Sequence, residues 1–206
     1  MIKERLASTI GRRDEEPNID LAKEIIHNQD VQSIKELVAL LKSKQNEVQN
    51  DSIKVLYEVG EMSPNLIVEH YPEFLEVLKS KNNRLQWGAM TALKTISLLI
   101  PADIYNNIST LKLVVDQGSV ITRDNFVAIL VNLIDQPAYE AQVFDLLLNQ
   151  IQDCPTNQLP MYVEMAANKI TKDKILPFRQ VVISRMNEVE KISKIKRLEK
   201  VLKKLS

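Results

Sequence analysis

Leu41-Lys42-Ser43-Lys44-Gln45-Asn46-Glu47-Val48-Gln49 returns 37 residues later as Leu78-Lys79-Ser80-Lys81-Asn82-Asn83-Arg84-Leu85-Gln86. Self-similarity at a fixed spacing marks a stacked array, because one such unit cannot bury its apolar face alone. The same shift pairs Leu56 with Leu93 and Val59 with Ile96, and a second shift reaches Leu130 and Leu133. Pro64, Pro101 and Pro137 fall 37 and 36 residues apart. Each is expected at the first turn of a new helix, where a missing N–H does no harm.

Within a period the apolar spacing is helical. Leu85, Ala89, Ala92, Leu93 and Ile96 make one buried stripe, and Phe74 with Leu78 is echoed by Leu111 with Val115 and by Leu147 with Ile151. Each unit is therefore a helix, a short polar turn and a second, longer helix. Gly88, Ala89 and Ala92 let neighbouring helices approach closely. The pattern predicts six hairpins: helices over 2–10 with 18–28, 31–43 with 46–61, 64–80 with 83–99, 102–117 with 119–135, 138–152 with 157–170, and 174–187 with 190–205. Pro72 is expected to break or bend the helix over 64–80, and Gly60 and Gly118 to end helices in left-handed capping positions.

Two antiparallel helices repeating in the upper thirties is the HEAT or armadillo pattern. The chain resembles HEAT repeats in its Leu-x-x-Leu first helix, polar turn and Ala-rich second helix, over roughly residues 31–170. It is similar to a small family of prokaryotic HEAT-repeat proteins of this length. The resemblance implies an all-α, α–α superhelix, a right-handed solenoid of about six hairpins with the second helices lining its concave side. It brings no activity. Many HEAT repeats place an arginine after the turn's apolar residue, whereas this chain has Gln49 and Gln86. That departure weakens the usual Asp–Arg ladder between units.

Composition agrees. Of 206 residues, 45% are apolar, but aromatics reach only 5% and glycines number only 4, too few for most sheet proteins. The array reads as a single domain over 1–206, with 171–206 a basic C-terminal capping hairpin. The charged start Met1-Ile2-Lys3-Glu4-Arg5 does not suit a signal peptide, no apolar run approaches the ~20 residues of a membrane span, and a single cysteine excludes an internal disulfide. A cytoplasmic protein is expected. Net charge is zero, yet residues 1–13 carry +3, 14–168 carry −11 and 169–206 carry +8. An acidic body bears a basic end.

No chemistry announces itself. His27 and His70 lie in different repeats without ligand spacing and read as surface or capping residues. The four isolated glycines build no phosphate loop. Cys154 before Pro155 reads as a partly buried spectator, although a helix start nearby could lower a thiol pKa. No catalytic, cofactor-binding or metal residue is assigned, and a non-enzyme is expected.

Two surfaces could bind a partner. Trp87, the only tryptophan, lies off the apolar stripe near Arg84, Thr91 and Lys94; Asn50 and Tyr57 occupy equivalent places one repeat earlier, and Asp124 one repeat later. Aromatics flanked by charge suit a binding hot spot, while the plainer reading packs Trp87 between repeats. On the helix over 190–205, Lys196, Arg197, Lys200, Lys203 and Lys204 share a face opposite Ile195, Leu198, Val201 and Leu202. The plainer reading is a solvated cap; the alternative is an anion-binding element. The mixed-charge segment Arg12–Asn18 reads as a loop that pairs with itself. The leading expectation is a scaffold that takes a protein or peptide on its concave face. The alternative is a nucleic-acid-binding or DNA-repair protein resembling HEAT-like DNA glycosylases, which the −11 body disfavours. Self-association through opposite charges is a third possibility.

Overall fold

The computed structural model describes residues 1–205, and among these the chain is all-helical, with twelve α-helices and no strand. They are α1 (Glu16–Asn28), α2 (Val31–Leu40), α3 (Asn46–Met62), α4 (Tyr71–Val77), α5 (Asn83–Ile96), α6 (Pro101–Asn106), α7 (Ile108–Gln117), α8 (Val120–Leu133), α9 (Glu140–Asp153), α10 (Leu159–Ala167), α11 (Ile175–Met186) and α12 (Ile192–Lys204). They gather into two compact units, Met1–Phe126 and the residues from Val127 onward.

In the first unit the repeat becomes a layer. α3 packs between α1 and α5, the helices one period before and after it, while α2 and α4 pack on α3 and α5. Val55, Leu56 and Val59 of α3 are wholly buried, as are Ala89, Ala92 and Leu93 of α5. The close approach is real: a Cβ built on Gly88 would sit 2.9 Å from both Ile53 Cγ1 and Cγ2. In the second unit α10 packs on α12 and α11 on α9, so second helix again meets second helix and first meets first. Tyr162 and Phe178 fill that core.

The two departures from the arginine pattern have a structural use. Gln49 Nε2 donates to the Ser43 carbonyl at 2.7 Å, and Gln86 Nε2 to the Leu78 carbonyl at 3.0 Å. Each carboxamide thus closes the turn before its own helix, satisfying a carbonyl left over at a helix end. Asn82 Nδ2 then donates to Gln49 Oε1 (3.0 Å) and Asn50 Oδ1 (2.9 Å), so an amide ladder links successive turns.

Several expectations are corrected. The stretch 2–10 forms only a short 3₁₀ helix, Ile2–Arg5, followed by turns. The stretch 64–80 divides into 3₁₀ turns, Pro64–Leu66 and Val68–His70, before α4; Pro72 sits in the first turn of α4 and the break precedes it. The stretch 102–117 splits at Asn107 into α6 and α7. Pro101 opens α6, but Pro137 lies in the turn before α9. Gly60 ends nothing: it lies inside α3 against Thr95 and Ile67. Gly118 does terminate α7, in an extended conformation (φ −90°) rather than a left-handed one. The left-handed residues are Gln29 (φ 51°), which caps α1, and Gly11 (φ 76°), in the loop before it. His70 holds the N-cap position of α4, one of the two places expected of it, but is buried rather than on the surface; its Nε2 makes no hydrogen bond and stands 3.5 Å from Glu69 Oε1.

Candidate functional site

Of the residues singled out around Trp87, Tyr57 of α3 and Arg84 of α5 come together with it, alongside a partner the sequence did not suggest. Lys54 is buried on α3, with its side chain only 9% exposed. Lys54 Nζ pairs with Glu58 at 2.6 Å, one helical turn on, and with Glu15 at 3.0 Å, at the start of α1. It also lies 4.8 Å from the centre of the Tyr57 ring, within cation–π range. Tyr57 in turn meets Trp87 with ring centroids 5.9 Å apart and planes tilted by 47°. That is a favourable arrangement for two aromatic quadrupoles. Arg84, one turn before Trp87, closes the cluster by pairing with Glu15.

Burial opposes the charge on Lys54, but bonds to Glu58, Tyr57 and Glu15 outweigh it and hold the ammonium well above the usual lysine range. Burial raises the Tyr57 phenol too, against the pull of Lys54. The site is thus a neutralised ionic knot under an aromatic pair, and Trp87 stays half-buried at its edge.

The remaining predicted residues flank this core unevenly. Lys94 pairs with Glu61 of α3. Thr91 is buried and spends its hydroxyl on the Trp87 carbonyl (2.9 Å) while accepting from Asn125 of α8 (3.0 Å). Asn50 accepts from Asn82 in the turn ladder. Asp124 is half-buried on α8, and its neighbour Asn125 ties α8 to α5. Trp87 therefore packs between repeats and also presents an edge to solvent.

Glu15, Lys54 and Glu58 escaped the sequence reading. Glu15 stood inside the mixed-charge segment read as pairing with itself. Only the spacing Lys54–Tyr57–Glu58, three and four residues along one helix, was available as a signal. The reading of Arg12–Asn18 as a loop that pairs with itself holds for Arg12, which grips Asp14 at 2.7 and 2.9 Å, but not for Glu15, which pairs with Lys54 and Arg84, or for Asn18, which is buried in α1.

The basic helix face is divided. Arg197 makes a forked pair with Glu164 of α10 (2.8 and 2.5 Å), which lowers the Glu164 carboxyl pKa and raises that of the guanidinium. Lys204 reaches Asn168 Oδ1 at 2.6 Å. Lys196, Lys200 and Lys203 are exposed. Cys154 is buried at the end of α9, and its carbonyl accepts from the buried Arg185 at 2.6 Å. Among the described residues no group of three or more His, Cys, Asp or Glu could hold a metal ion, and no helix is long and apolar enough to cross a membrane.

No protein-family model and no curated protein matches the chain. Two crystal structures of engineered proteins from the Northeast Structural Genomics Consortium are similar to it. One has a TM-score of 0.61 at 16% identity, covering 98% of this chain and 96% of that one. The other has a TM-score of 0.59 at 17% identity, covering 99% and 98%. Likeness at such identities concerns the fold alone.

Proposed function

We propose that this chain is a HEAT-type repeat module that binds a protein or peptide segment and catalyses nothing itself. The observation that carries the reading is the Tyr57–Trp87 pair, held on a fixed ionic knot with Trp87 half-exposed. Binding energy concentrates in a few large, rigid side chains, tryptophan and tyrosine foremost, with surrounding groups excluding water. Because Lys54, Glu15 and Arg84 are already paired, little side-chain freedom is lost when a partner settles on the aromatic pair. The flanking Glu61–Lys94 pair gives a rim of both charges, which suits a segment of mixed or neutral character.

Trp87 is the only tryptophan, so its emission reports the site directly. Affinity capture from the native cell, with parent and Trp87→Ala chains as bait, tests the proposal. The expected result is a partner that shifts Trp87 emission and binds the Trp87→Ala chain at least about tenfold more weakly, as a hot spot demands. A partner held equally well by both chains overturns the assignment.

A further inference from the structure

We propose that the exposed side of α12 docks on the phosphate backbone of double-stranded nucleic acid. Lys196, Lys200 and Lys203 follow one another at four and three residues, so they form a single stripe on the helix. All three are exposed, and no ion pair engages them among the described residues. Beside the stripe, α10 and α12 enclose a cleft of about 380 Å³ whose walls include Arg197, Lys200 and Lys204. The one carboxylate in that cleft, Glu164, is neutralised by Arg197. Glu199, three residues after Lys196 and four before Lys203, is the only acidic residue of α12 and shares the stripe's side, against six lysines and arginines on the helix.

The physical chemistry selects the occupant. The guanidinium on this helix, whose fork suits a planar carboxylate, is already committed to Glu164. What remains is a row of compact ammonium groups with little directional demand, suited to a continuous line of phosphates more than to one shaped acidic epitope. A lipid surface fits poorly, because Leu198, Val201 and Leu202 are buried against the protein and unavailable for insertion. A single strand fits poorly as well: residues 179–206 contain no aromatic ring on which bases could stack. From Lys196 to Lys203 the helix rises about 10 Å, and the reach of the lysine side chains extends that to about two to three phosphates of a duplex. The contact reads no sequence, since no side chain of the stripe is matched to a base edge.

Fluorescence anisotropy with a labelled duplex of about 20 base pairs, over a salt series from about 20 to 200 mM, tests this. Three phosphate contacts predict that log K falls against log salt with a slope of about −3. The triple substitution Lys196→Gln, Lys200→Gln and Lys203→Gln should weaken binding more than about tenfold at the lowest salt, with helicity and melting unchanged. The same charge removed at the exposed Lys35, Lys44 and Lys81 should leave affinity within about twofold, which separates a local site from net charge. Three results overturn the proposal: no duplex binding at low salt, equal losses in the two triple variants, or equally tight binding to phosphatidylserine vesicles or poly-glutamate.

Discussion

An ammonium removed from water costs several kcal/mol unless carboxylates and hydrogen bonds replace the solvent. Lys54 is such a group, and its contribution depends on pH with a definite sign. Its pKa is raised on folding, so its stabilisation is complete below the ordinary lysine value near 10.5 and is lost as pH climbs through the higher folded value. The raised Tyr57 phenol acts in the same direction from about pH 10 upward. Stability measured by urea titration should therefore hold level from neutrality to about pH 10 and then fall. Lys54→Met should cost about 1–2 kcal/mol at neutral pH, less than breaking a fully buried pair, because Glu15 keeps 40% of its side chain in solvent. The same variant should flatten the alkaline decline; a decline as steep as the parent's would remove Lys54 from the explanation. A second residue sets the helix spacing. Gly88→Ala drives a methyl into the stiff, β-branched Ile53 and should cost about 1–3 kcal/mol. Adding Ile53→Ala should give a double variant less damaged than the sum of the singles, and strict additivity would contradict the contact.

Among the elements, what the sequence revealed was whatever local spacing decides. α3 and α5 begin at Asn46 and Asn83, where the polar turn yields to the apolar stripe, as read. Two of the failures share a cause: in the first segment and at Asn107, side chains bind backbone groups in place of a continuous helix. In the first segment the Ile2 amide donates to Glu36 (3.1 Å), the Ala7 amide to Asn18 (3.0 Å) and the Ser8 amide to Asp51 (2.7 Å). Those partners lie 11 to 43 residues away, beyond any local pattern. At Asn107 the side-chain amide donates to the Asp103 carbonyl (2.9 Å), the competition by which asparagine interrupts helices. The same distance in sequence hid Glu15 from the candidate site, while Trp87, Tyr57 and Arg84 were legible from the period. Asp51 is the keystone of the first segment, since Asn18 Nδ2 also donates to it at 2.8 Å in a buried setting. Asp51→Ala strands one buried and one part-buried donor and should cost about 2–4 kcal/mol. Amide hydrogen exchange should then quicken across residues 1–10 while α5 stays protected; uniform quickening would mean that Asp51 supports the whole unit rather than this segment.

Over the whole molecule, charge is segregated more strongly than its total suggests. The chain is neutral overall with a pI near 6.8, yet it carries −11 over residues 14–168 and +8 over 169–206. Neutral totals deprive a protein of the mutual repulsion that keeps molecules apart, and segregated charge adds attraction between unlike regions of different molecules. Part of the imbalance is spent internally: Asp135 meets Lys169, Glu140 meets Lys174 and Glu164 meets Arg197. These pairs join neighbouring repeats, which is why the basic segment can sit beside acidic helices without strain. The lysine stripe of α12 is left over and is available to other molecules. Light scattering should thus give a negative second virial coefficient near pH 6.8 at low salt that rises as salt screens charges over about 10 Å. Lys196→Gln, Lys200→Gln and Lys203→Gln together shift the total to −3 and should make the low-salt coefficient less negative at the same pH, by removing the attractive pole and restoring net repulsion. A coefficient indifferent to salt would mean that any association runs through apolar contacts instead. The exposed Leu98, Leu99 and Leu113 are then the positions to change next.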